Sequence, residues 1–143
     1  MTYRTLYVGL LAGACFVAGP AMTGCAPAQA DDDSLRESFA ERLAETSLVT
    51  DFTRTGDEIT FTGPDGAGGL AEWRVRIDTT LVEPSELDET MPFEGRLTAE
   101  WYVNGELVEW LGNMTALPRE YLDRGLAQEC WAYWVEAERR WSW

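Results

Sequence analysis

The sequence predicts a two-layer α+β domain: about four antiparallel strands, with an N-terminal and a C-terminal helix packed on one sheet face. Three observations carry that expectation. Apolar residues recur every four positions just after residue 34 and again after Pro118, the spacing of one helix face. Between about Leu48 and Trp110 the period shortens to two, which is the alternation of a half-buried strand. Asn104-Gly105 then separates two alternating runs, and this dipeptide suits the type I′ turn of a tight hairpin.

Taken in order, Ser34 with Glu37 three residues on reads as a capping box. Asp31, Asp32 and Asp33 lie at the positive end of the helix dipole. Leu35, Phe39 and Leu43 form the apolar stripe of a helix running to about Thr46. Ile59 and Phe61 alternate with Thr60 and Thr62 in a first strand. Residues 63–69 (GPDGAGG) read as a mobile connection. Trp73, Val75 and Ile77 alternate with Arg74, Arg76 and Asp78 in a second strand continuing toward Val82, and Glu83 to Pro92 reads as a polar loop.

The hairpin turn sets a register. Val103 pairs with Glu106, Trp101 with Val108 and Ala99 with Trp110. One face then carries Leu97, Ala99, Trp101, Val103, Val108 and Trp110, and the other Arg96, Glu100, Tyr102, Leu107 and Glu109. Pro118 suits the first turn of a final helix. On that helix Leu122, Leu126, Cys130, Tyr133, Trp134, Ala137 and Trp141 fall within one broad arc. Tyr121, Trp131 and Val135 project outside it. With terminal Trp143 they make a candidate partner surface, because exposed aromatic patches mark contacts with other molecules.

Composition excludes a good deal. The chain has no His, and all 11 basic residues are Arg. Histidine triads, histidine-ligated zinc, lysine Schiff bases and phosphate-loop lysines are therefore not available to it. A net charge of −14 repels nucleic acid and anionic bilayer surfaces. A high-salt habitat would favour the same acidity. No cofactor or metal site is expected: the three aspartates precede no rigid ligand loop. Asn113-Met114-Thr115 fits a glycosylation sequon by coincidence.

The N-terminus reads as an export leader. Arg4 and the amino terminus supply positive charge, Leu6 to Ala18 is an uncharged apolar run, and Pro20 breaks it. Met22-Thr23-Gly24-Cys25 follows. That string resembles the lipobox of bacterial lipoproteins, an aliphatic residue and two small ones before an obligatory Cys, with Met22 in place of the usual Leu. The resemblance covers the leader alone. It implies diacylglycerol attachment at Cys25, cleavage before it, and a membrane-anchored protein outside the cytoplasmic membrane. In a two-membrane cell the absence of Asp directly after Cys25 favours the outer membrane.

Two alternatives stay open. Ala28-Gln29-Ala30 before Asp31 is a small-x-small site for ordinary secretion, and the leader could also remain as an uncleaved anchor. The organisation expected is a leader over 1–24, an acidic tether over 25–33 and one domain over 34–143. Taking 24 leader residues from 143 leaves enough chain for one self-sufficient core. Cys15 leaves with the leader, Cys25 is acylated, and Cys130 remains as a buried unpaired thiol.

The leading functional expectation is a non-catalytic binding or accessory module holding an envelope protein, glycan or lipid. One rival is a small-molecule or lipid carrier with a cavity lined by Trp73, Trp101, Trp110 and Trp134. The other is a carboxylate-dependent hydrolase at Glu100 and Glu109. These face one another across the hairpin, at a spacing like that of a retaining glycosidase pair.

Overall fold

The computed structural model of the protein describes residues 28–109 and 117–143. The leader, Cys25, Trp110 and the sequon at Asn113 lie outside the described residues. Chain order is α1 (Asp32–Ala44), β1 (Thr50–Thr55), β2 (Glu58–Pro64), β3 (Leu70–Pro84), β4 (Phe93–Val103), β5 (Glu106–Leu107), α2 (Arg119–Leu122), β6 (Glu129–Val135) and β7 (Arg140–Ser142). All strand pairs are antiparallel, in the order β1-β2-β3-β4-β6-β7, with β5 also on β4.

This corrects the expected α+β architecture. Among the described residues the fold is mostly β: one curled seven-stranded sheet, a half-barrel, with two small helices. The long C-terminal helix does not form. Pro118 does start a helix, but α2 is a single turn ending before Gly125, whose φ of +79° suits glycine. The chain beyond it becomes a hairpin. Cys130, Ala132 and Trp134 point inward from β6, while Glu129, Trp131, Tyr133 and Val135 point outward. Arg139, at φ +52°, turns the chain into β7, where Trp141 points inward.

Helix α1 forms where expected but is capped earlier. The Asp31 side chain accepts from the Ser34 amide at 2.8 Å, and the Ser34 hydroxyl lies 3.2 Å from the Asp31 amide. Asp31 is therefore the N-cap in place of Ser34, and Glu37 instead pairs with Arg54 at 2.5 Å. Leu35, Phe39, Ala40 and Leu43 are buried against the hollow of the sheet. A fully buried Leu or Phe contributes about 2 kcal/mol, so this stripe is what seats the helix. Arg42 and Arg124 exchange bonds with one another's carbonyls, which ties α1 to the chain after α2. No helix among the described residues is long and apolar enough to cross a membrane.

The hairpin register holds where it is described. Val103 pairs with Glu106, Tyr102 with Leu107, and the Val108 amide donates to the Trp101 carbonyl at 2.8 Å. Asn104 and Gly105 have φ of +48° and +85°, as the turn requires. The β5 hairpin uses only the end of β4. Phe93–Thr98 pairs with β6 along the same edge, and the Ala99 amide bonds to the Gln128 carbonyl at the handover. In the connection at 65–69 the Asp65 carboxylate accepts from the Ala67 and Gly69 amides at 2.8 and 3.0 Å.

One irregularity governs the outer face. Strand β3 carries a bulge at Asp78, so Ile77 faces Ala99 while Thr79 faces Thr98. The Thr79 amide and hydroxyl both reach the Thr98 hydroxyl, at 3.2 and 2.6 Å. The extra residue shifts the alternation. Before it, Arg74 and Arg76 point outward; after it, Leu81 and Glu83 do.

Candidate functional site

The four candidate partner-surface residues do not form one surface. Tyr121 is 0% exposed. Its ring packs edge-on with Phe61 and Trp73, and its hydroxyl donates to the Pro64 carbonyl at 3.0 Å. That bond lets the phenol be buried, and burial pushes its pKa well above the ordinary value. Trp143 lies against α1, with its indole N–H on the Ser38 hydroxyl at 2.8 Å and its ring edge-on to Phe39. Trp131 and Val135 do share a side, the outer side of β6. Trp131 is 44% exposed.

The outer face has two ends. At the hairpin end, Thr60, Arg74 and Tyr102 form one rung across β2, β3 and β4, and Glu58, Arg76 and Glu100 form the next. Arg74 stacks over the Tyr102 ring at 4.2 Å and lies 4.0 Å from Glu58. Arg76 bonds one Glu100 oxygen, and the Tyr102 hydroxyl donates to the other at 2.5 Å. The Tyr102 hydroxyl and the Arg76 guanidinium hold the Glu100 carboxyl below the usual carboxylate range. The same contact raises the Tyr102 phenol. Of the predicted Glu100–Glu109 pair, Glu109 is exposed just beyond β5, past the last described pair of the hairpin, Tyr102 with Leu107. Both oxygens of Glu100 are already engaged.

At the loop end, beyond the bulge, the rungs are Leu81–Arg96–Trp131 and Glu83–Glu94–Tyr133. Arg96 lies 5.3 Å from the Trp131 ring and 3.5 Å from Glu94. Leu81 is 46% exposed on the other side of Arg96. Glu83 stands directly opposite Glu94, an arrangement that normally costs free energy. Sequence reasoning missed Leu81 and Glu83 because strict alternation from Trp73 carries even-numbered residues outward, and only the bulge reverses that.

Inside, Trp73, Trp101 and Trp134 are buried ring against ring. Trp73 meets Trp101 at 5.9 Å, and Trp134 meets Trp141 at 5.5 Å, both edge to face. A surface hollow of about 450 Å³ lies at the hairpin end, lined by Asp51, Thr60, Thr62, Glu72, Arg74 and Gly105 among others. Cys130 is buried, with its sulfur 3.1 Å from the Ala127 carbonyl, and burial pushes the thiol up to about 12. Among the described residues no group of three or more acidic or cysteine side chains is placed to hold a metal ion.

No protein family matches this chain, and comparison with curated proteins and with solved structures finds none similar to it.

Proposed function

We propose that this protein is a lipid-anchored, extracytoplasmic, non-catalytic binding module that engages a protein partner through the outer face of its sheet. The observation that carries this reading is the exposure of Trp131 and Leu81 on one rung of that face. A large aromatic left open on a strand whose inner side is fully packed suits an interface anchor. The rival readings gain less support. Of the tryptophans expected to line a carrier cavity, Trp73, Trp101 and Trp134 pack against other aromatic rings, and both Glu100 oxygens are engaged by Arg76 and Tyr102.

The anchor fits the same picture. The Ala28 carbonyl accepts from Arg139 at 2.7 Å. Acylated Cys25 would therefore be joined to the folded body through Ala26 and Pro27, a span of at most about 10 Å to Ala28. Two or three acyl chains hold such a module stably, at about 0.8 kcal/mol per buried methylene. The acidic body would then sit close above the bilayer without lying on it.

Mass spectrometry of the native protein tests the anchor. The expected result is a mature chain starting at acylated Cys25, with radiolabelled palmitate incorporated by wild type and not by Cys25→Ala. A mature chain starting at Asp31 without hydrocarbon would overturn it.

A further inference from the structure

We propose that the loop end of the outer face receives a cationic segment of a partner protein, one apolar side chain set among lysines or arginines. The inference deepens the binding-module reading and rests on it. Leu81 and Trp131 lie on neighbouring sides of β4, so about 10 Å separates their backbones, two strand spacings. Arg96 stands between them on β4, so a single apolar side chain would lie across the Arg96 stem with Leu81 and Trp131 on either side. Arg96 stacks on Trp131 from within the rung, which leaves the rest of the indole open.

Charge decides the partner's chemistry. Glu83 and Glu94 face one another on the rung beside Trp131, and Glu129 points outward on the rung beyond it, next to Thr98. Among the described residues of these rungs, Arg96 alone offers a positive charge to three carboxylates, and it pairs with Glu94. At the hairpin end the equivalent carboxylates Glu58 and Glu100 each have an arginine. A like-charge pair that Arg96 compensates on one side only, beside an exposed apolar pair, is relieved by positive charge from outside. With a net charge of −14, a second copy of this chain and an anionic bilayer are both repelled. A free polyamine would satisfy the carboxylates but leave Leu81 and Trp131 uncovered.

The test uses the mature lipidated protein in phosphatidylcholine nanodiscs and three short fluorescent peptides of alternating lysine and leucine, serine and leucine, or glutamate and leucine. Anisotropy should show the lysine peptide binding, weakened at least about tenfold by Trp131→Ala and by Leu81→Ser. Glu83→Gln with Glu94→Gln should weaken it comparably and flatten its salt dependence. Glu58→Gln with Glu72→Gln makes the same change in net charge at the other end and should alter binding less than about twofold. Equal losses from the two charge pairs would overturn the proposal, since attraction would then belong to the whole acidic body. Trp131-dependent binding of the serine or glutamate peptide would overturn the cationic partner while leaving the binding face in place. If no peptide's binding depends on Trp131, face and partner both fall.

Discussion

On the outer sheet face, the hairpin end and the loop end are separated by one bulged residue and handle similar side chains differently. At the hairpin end Glu58, Arg74, Tyr102, Glu100 and Arg76 form a closed chain of ion pairs, stacking and hydrogen bonds. At the loop end Arg96 is shared between Glu94 and Trp131, Glu83 has only Glu94 opposite, and Leu81 stands open. Exposed ion pairs contribute little individually, so the closed chain matters mainly because it leaves nothing for an outside group to satisfy. The open end leaves both charge and apolar surface unanswered. The difference teaches where on a featureless sheet to look for a partner.

One way to break the comparison is to ask whether the loop end is open because it is loosely built. It is held firmly from inside. A Cβ added at Gly95 on β4 would come within 2.8 Å of Leu35 and 2.9 Å of Trp141, so helix and hairpin both bear on that strand. Gly95→Val should therefore destabilise by about 3 kcal/mol, read as a lower urea midpoint. A midpoint close to that of wild type would mean that this end yields easily, and its exposure would then say little about docking.

The closed end makes a pH-dependent contribution. Glu100 is held below its ordinary carboxylate range by Tyr102 and Arg76. Its stabilisation is therefore full above the unfolded value of about 4.3 and is lost as pH falls through the lower folded value. Urea midpoints measured from neutral pH into acid should fall less steeply for Glu100→Gln than for wild type. Parallel curves would show that the closed chain does not hold in solution.

How much of this was legible in the sequence follows from which periods were unambiguous. Leu35, Phe39 and Leu43 follow an Asp-rich start with a capping serine, and the positions two apart from them hold Glu37 and Glu41, which favours a helix over a strand. Asn104-Gly105 favours a tight turn, so α1 and the β4–β5 hairpin were readable. The segment from Leu122 to Trp141 fits two periods at once. Its buried residues Leu126, Cys130 and Trp134 recur every four positions, which suits a helix face and also every second inward position of a strand. The intervening outer positions hold Trp131, Tyr133 and Val135 instead of charged residues, which blurred the two-residue alternation. Their aromatic and β-branched character favours a strand, and that signal was the one to weigh. The candidate site was half legible. Trp131 and Val135 were placed outward on the wrong kind of element. Leu81 and Glu83 depended on a bulge that leaves no mark in the composition of β3.

A smaller change should sharpen the contrast. Glu83→Arg converts the like-charge pair with Glu94 into an opposite-charge pair, so the loop end would come to resemble the hairpin end. Stability should rise by about 0.5 kcal/mol, measured by urea unfolding at low salt, while the lysine peptide loses its affinity. A drop in stability would mean that Glu83 and Glu94 do not share the outer side of their rung.

The smallest expected effect separates a binding anchor from a structural one. Trp131 and Trp101 belong to one sheet, but Trp101 is fully buried among Phe39, Phe61, Trp73 and Tyr121. Replacing that ring with alanine should cost about 3–5 kcal/mol, as cavities under a large aromatic do. Trp131→Ala removes a half-exposed ring and its stacking with Arg96, and should move stability by no more than about 0.5 kcal/mol. A residue that contributes so little to its own fold is free to serve an external contact. If Trp131→Ala instead lowered the urea midpoint nearly as far as Trp101→Ala, the indole would be part of the framework, and its exposure would no longer point to a partner.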